Sequence, residues 1–283
     1  MDIQSLLDDD VNIVSLPGVY YQFQEAMSSQ NTSFAEIGDI IIYDSGLTAK
    51  LLKLVNSAYF GLPAKIEKVS HAISWVGTDE LTNLLLSTVV IDQFNSIPDS
   101  VINMESFWQH SIACGLIARK LASYNEHLDT EKFFIAGMLH DIGQLVLSTK
   151  LPALTLKLLL ETQTLDKQLH ELEHENLGFD HAELGAKLLE KWNLSEFNVE
   201  TAACHHTPDL APNYSQETSI IHYADALANS MNLGCSGESA FQYELEGEAW
   251  ERLQLPDQIN LSSLKEEITN SYEEAVDIFL QPK

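Results

Sequence analysis

The stretch FFIAGMLHDIGQLVL, residues 133–147, constrains the fold more than any other part of the chain. It is too long for an ordinary strand and almost wholly apolar, which is how a buried helix reads. Yet His140 and Asp141 sit side by side at its middle, with Gln144 one turn later. An unpaired carboxylate in such a core costs several kcal/mol. At 100° per residue the three polar side chains fall on one side of a continuous helix over 131–148, so something on that side must offset the cost.

Helical periodicity dominates the rest of the chain, and few runs alternate with period 2. Ser33 and Glu36 form a capping-box signal ahead of a helix in SFAEIGDIIIYD. A second helix in SGLTAKLLKLVNSAYFG stops before Gly61 and Pro63, and two more follow, broken near Gly77. SIPDS at 96–100 reads as a joint between lobes. Beyond it the pattern predicts helices over 103–124, 131–148, 151–161, 166–175, 180–192, 195–206, 217–232 and 262–279, with GCSGES and LPDQINLSS as loops. The expected fold class is all-α, with an N-terminal helical lobe over 1–97 and a second helical lobe over 98–283.

Charge excludes several functions. The chain holds 15 Lys and Arg against 42 Asp and Glu, a net charge of −27. That repels nucleic acid and anionic membranes, and the pairs Lys50/Lys53 and Lys65/Lys68 make no basic patch, so neither DNA, RNA nor a membrane is an expected partner. No apolar run reaches the ~20 residues of a membrane span, and the acidic start MDIQSLLDDDVN lacks a signal core. Cys114, Cys204 and Cys235 are odd in number and scattered, which argues for a reducing cytoplasm over a disulfide framework.

Four other helices carry polar residues on the same side as the apolar ones. His110 shares its face with Phe107, Ala113, Cys114, Ile117 and Leu121. Asp180 and Glu183 mark a helix start that puts His181 in the first turn. His205 and His206 end a helix that Pro208 stops, and Asp225 lies with Ile221 and Ala228. One inward polar residue is ordinarily a satisfied core group, and five helices doing the same call for a shared partner. A transition metal fits, because neutral imidazoles and carboxylates are its ligands and the cation offsets buried charge.

His110, then His140–Asp141, then Asp225 resembles the H…HD…D pattern of the HD superfamily of metal-dependent phosphohydrolases. The added His181, His205 and His206 resemble the fuller ligand set of its HD-GYP branch, which hydrolyses cyclic dinucleotides. GLTAKLLKLVNSAYFG, KVSHAISWVGTDELTNLLLS, FWQHSIACGLIARKLA and AGMLHDIGQLVL together resemble an HDOD domain, the HD-related output domain of bacterial signalling proteins, over about Leu16 to Phe279. The resemblance implies one metal held by His110, His140, Asp141 and Asp225. Asp141, the candidate catalytic residue, would bridge to a second metal held by His181, His205 and His206. The cofactor would be one or two divalent ions among Fe, Mn, Ni and Zn. The chain departs from the HD-GYP pattern at Gln144, where that branch has Lys, and at Thr207, where it has Glu. It has no GYP loop, and Ser106 stands where a third-metal Glu can sit, with Glu105 turned away.

Two functions therefore stay open at the level of sequence. One is a phosphoester or nucleotide hydrolase. The other is a non-catalytic signalling adaptor that binds a protein partner or a nucleotide, its input arriving from another chain; between them lies a metal-bound structural or redox switch. Of the remaining residues, Gln144 and His222 are expected behind the ligands, and Asn56 and Ser57 as caps. Cys204 is expected as a small buried residue, His170 and His174 on a solvated face, and Trp75, Trp108, Trp192 and Trp250 in the core or a seam. Arg119 and Lys120 are expected on the surface.

Overall fold

The computed structural model describes residues 2–8, 15–29, 31–57, 60–94, 97, 101–165, 167–237, 253 and 261–280. Among these there is no strand, and the all-α expectation holds. The 96–100 joint apart from Ile97, residues 58–59 of the SAYF stretch, Trp250, and part or most of the two expected loops lie outside the described residues.

The chain divides into two compact units. One comprises Ser15–Phe94 with Thr269–Lys283, the other Met1–Val14 with Asn95–Ile268, so both terminal segments belong with the unit formed mainly by the other half. The smaller unit holds α2 (Gly18–Ser28), α3 (Phe34–Ile42), α4 (Ser45–Val55), α5 (Val69–Val76) and α6 (Thr78–Phe94). The Ser33–Glu36 capping box forms as the sequence predicts, with Ser33 N–H donating to Glu36 Oε2 at 2.8 Å. Helix α6 is buried along most of its length, from Leu81 to Phe94, because its apolar residues are spread around the helix rather than confined to one stripe. Asn56 caps α4 and ties the following loop. Its amide donates to Leu52 O (2.6 Å) and Ile66 O (2.7 Å) and accepts from Ile66 N–H (2.6 Å).

The larger unit holds α1 (Ile3–Asp8), α7 (Met104–Ala122), α8 (Glu131–Leu139), α9 (Ile142–Lys150), α10 (Pro152–Thr162), α11 (Leu169–Leu177), α12 (His181–Lys191), α13 (Glu196–Cys204) and α14 (Ser215–Ser230). Helix α15 (Leu261–Phe279) contributes residues to both units. One boundary corrects the sequence reading. The single helix expected over 131–148 is two helices, and the break falls on His140 and Asp141. Asp141 leaves the helical region at φ −98°, ψ 10° and serves as the N-cap residue of α9.

Candidate metal centre

Two close helix crossings assemble the polar side chains. At the first, α7 meets α8 with almost no side chain between them. A Cβ on Gly137 would lie 2.7 Å from Cys114 O and 2.9 Å from Gly115 Cα. This contact sets His110 and Cys114 against His140, whose ring centroid is 5.6 Å from that of His110. Helix α14 packs on α7 and delivers Asp225, with Oδ1 3.1 Å from His110 Nε2. The Asn229 amide donates to the same oxygen at 2.8 Å. Cys114 Sγ lies 3.4 Å from His110 Nε2. The donor atoms of His110, Cys114, His140 and Asp225 all fall within 4.8 Å of one another, and all four residues are buried.

The second crossing joins α9 to α12, where a Cβ on Gly143 would run into His181 O. His181 opens α12 behind the capping box of Asp180 and Glu183. At the end of α13, His205 and His206 turn in before Pro208 starts a 3₁₀ turn. Asp141, His181, His205 and His206 form a second group with donor atoms within 4.8 Å of one another. His206 Nε2 lies 2.9 Å from His181 Nε2.

Asp141 faces both groups. Its Oδ2 is 3.3 Å from His140 Nε2, while Oδ1 is 3.2 Å from His181 Nε2 and 3.4 Å from His205 Nε2. Three of the rings have a strong acceptor for Nδ1–H. His140 meets Gly137 O at 2.7 Å, His205 meets Ala202 O at 2.8 Å, and His181 meets Glu173 Oε2 at 2.6 Å. In the neutral ring each Nε2 is then a lone pair aimed at a carboxylate oxygen, which is repulsive unless a proton or a cation lies between. His140 Nε2, His205 Nε2 and Asp141 Oδ1 are buried and make no well-formed hydrogen bond.

A metal fits these residues better than protons do. Nitrogen and oxygen donors held about 2.0–2.1 Å from one ion sit about 2.9–3.4 Å apart, and the separations above run from 2.9 to 3.4 Å. In the metal-free protein, burial disfavours a charged His140, yet the Asp141 carboxylate outweighs it and lifts its pKa to about 9. His181 is likewise raised against burial, by Glu173 and Asp141. Burial also opposes ionised Asp141, and His140 with the neighbouring rings holds its carboxyl well below the usual range. Burial and the His205, His181 and His170 rings keep His206 well below its ordinary pKa, neutral and ready to ligate.

The seven residues expected as ligands thus come together, divided between two groups that meet at Asp141. Gln144 is buried on α9, with neither amide atom hydrogen-bonded. His222 donates from Nδ1 to His205 O at 2.7 Å, bracing the backbone of a residue of the second group. Beside His206 a cavity of about 430 Å³ opens, lined also by Thr207, Asp209, Ser219, His222 and Tyr223. None of its lining residues is Lys or Arg; Lys120 pairs with Glu267.

Three residues were misread or passed over in the sequence. Cys114 lies on the inward face that the sequence predicts, and its Sγ falls within the first donor group, in which the sequence reading did not include it. His170 is not on a solvated face, because its ring stacks on His206 with centroids 4.1 Å apart. His174 is exposed, as expected. Glu173 is buried and also accepts from His181 N–H at 2.8 Å. Its signal was its place beside Leu169 and Leu172 on the buried stripe of α11. Cys204 is only half-buried and joins neither group, and Trp75 is exposed, whereas Trp108 and Trp192 are in the core.

An uncharacterized protein of Treponema pallidum (strain Nichols) is 30% identical over 223 residues. The match covers 78% of this chain, and the chain spans 43% of that protein's length. The crystal structure of an HDOD domain protein of unknown function from Geobacter sulfurreducens superposes with a TM-score of 0.77 at 20% identity, covering 99% of this chain and 100% of that one. The structure named "Putative phosphohydrolase from Shewanella amazonensis SB2B" does so with a TM-score of 0.75 at 20% identity, covering 98% and 96%. These likenesses show the fold, and no helix among the described residues is long and apolar enough to cross a membrane. The HDOD domain family matches residues 13–208, well over half of the sequence, and the chain belongs to that family.

Proposed function

We propose that this HDOD protein is a metal-dependent hydrolase of a phosphoester or nucleotide, acting in bacterial signal transduction. The observation that carries the reading is Asp141, whose two oxygens divide between the two donor groups. His110, His140 and Asp225 would hold one divalent ion, His181, His205 and His206 a second, with Asp141 shared. Bound ions would supply a nucleophile at neutral pH and neutralise charge developing on phosphorus. Glu173 fixes the His181 ring, and His222 fixes the His205 backbone. The cavity beside His206 gives a substrate access to the second group, with the Ser219 and Tyr223 side chains along its wall. The name of the Shewanella neighbour is consistent with this chemistry.

The test is metal content per chain for wild type and Asp141→Ala, followed by a phosphodiester, phosphomonoester and nucleotide panel with each metal loaded. Bound metal and turnover in wild type, both lost in the variant, are expected. A fully loaded protein that hydrolyses none of the panel refutes the reading. One observation favours a second: a non-catalytic adaptor that binds a protein partner or nucleotide, since no lining residue of the cavity offers a phosphate a Lys or Arg. It requires partner binding to survive His140→Ala.

A further inference from the structure

We propose that Cys114 is a metal ligand, so that the first group binds its ion through a thiolate as well as imidazole and carboxylate. This rests on the metal reading above and goes beyond it in naming a sulfur donor. Cys114 follows His110 by four residues on α7, so both side chains leave the same face. Its backbone is clamped, since its carbonyl oxygen lies only 2.7 Å from where a Cβ on Gly137 would be. The Sγ has reached 3.4 Å from His110 Nε2, inside the cluster formed with His140 and Asp225.

The bland alternative is a small apolar filler, which is how most buried free cysteines behave. The surroundings argue against it. His110 Nε2 lies between Asp225 Oδ1 at 3.1 Å and Cys114 Sγ at 3.4 Å, so nitrogen, oxygen and sulfur atoms suited to one metal ion converge there. His140 Nε2, in the same group, is fully buried and has no hydrogen-bond partner. A single cation where these atoms converge satisfies all of them, and it makes Cys114 the anion it must be to ligate. The two groups then differ in softness. The first, with sulfur, favours Zn²⁺, Co²⁺ or Fe²⁺ over Mn²⁺, while the second, all nitrogen and oxygen, accepts Mn²⁺ as well.

The test titrates Co²⁺ into metal-free full-length protein and follows optical absorption and cobalt content together. Wild type should show a near-ultraviolet thiolate-to-cobalt charge-transfer band, lost in both Cys114→Ser and Cys114→Ala. On wild type alone, so that no variant need fold, zinc-edge X-ray absorption should show a sulfur shell at about 2.3 Å beside nitrogen or oxygen at about 2.0–2.1 Å. Cobalt bound without the band, or a band that survives in Cys114→Ser, overturns the assignment and leaves the metal centre standing. A wild type that binds no cobalt overturns both.

Discussion

Gly143→Ala should unseat half of the centre. The added Cβ would sit 1.9 Å from His181 O and 2.7 Å from Gly185 N. Real Cβ contacts essentially never fall below 3.0 Å, so α9 and α12 must part by at least 3.0 − 1.9 = 1.1 Å. Both obstacles are helix backbone, which cannot rotate away as a side chain does. His181 Nε2 is 3.2 Å from Asp141 Oδ1, so a displacement of this size takes the ring out of the second group's reach. Overpacking of a rigid core costs about 1–3 kcal/mol. At about 2–4 °C per kcal/mol for a body of this size, Tm falls by about 2–12 °C. The control is Gly185→Ala at the same crossing. Its Cβ meets Gly143 N at 3.1 Å, which a few tenths of an ångström relieve, and the helix gains about 0.5–1 kcal/mol over glycine. Circular dichroism melts and metal analysis of both variants decide the matter. Gly143→Ala should lose the second ion and keep the first, while Gly185→Ala stays near wild type. Normal metal content and Tm in Gly143→Ala, or equal damage in both, would refute the idea that this contact places His181.

Glu173→Gln keeps the shape of the side chain and removes the charge that orients His181; metal affinity at the second group should drop about 10–100-fold, measured by chelator competition, and an unchanged affinity would reduce Glu173 to a packing role. Asn56→Ala removes three hydrogen bonds at about 1 kcal/mol each, so denaturant melts should show a loss of about 2–4 kcal/mol while metal content stays at the wild-type value. Removing metal should make stability fall with pH. His140 has its pKa raised from 6.5 to about 9, so its contribution is full below pH 6.5 and disappears as pH rises through 9, at most about 3 kcal/mol. Metal displaces that proton and binds more tightly as pH rises. The Tm gap between loaded and metal-free protein should therefore widen from pH 6.5 to 9, and a gap that narrows contradicts the assignment.

Much of the fold was legible because helices write a periodic pattern. The Ser33 and Asp180 capping boxes, and the stop before Pro208, place helix ends within a residue or two. The break inside 131–148 was not legible, because nothing local forbids a helix there: residues 131–148 hold no proline, and Gly137 and Gly143 are tolerated. Tertiary contact decides it. In a continuous helix, adjacent side chains point 100° apart; leaving the helix at Asp141 lets its Oδ2 come back to 3.3 Å from His140 Nε2 while Oδ1 reaches α12 and α13. Glu173 and His170 were lost for another reason. Helix α11 is rich in charge, and composition hides which of its charged residues lies on the Leu169–Leu172 stripe.

The buried charge explains why the sequence pointed to these residues at all. Asp141, Asp225 and Glu173 are each less than 4% exposed, and no Lys or Arg is buried among the described residues. Their compensation must come from the histidines or from bound cations. Protons on His140 and His181 offset part of it, but each proton occupies the Nε2 that faces Asp141 and leaves the rings at separations too long for good hydrogen bonds. Two divalent ions supply four positive charges, enough for all three carboxylates and a Cys114 thiolate, without protonating any ring. A chain with 42 acidic residues and 15 basic ones could have neutralised its core with a lysine or an arginine. It used imidazoles instead, and imidazole ligates a metal where a permanently charged side chain would repel it.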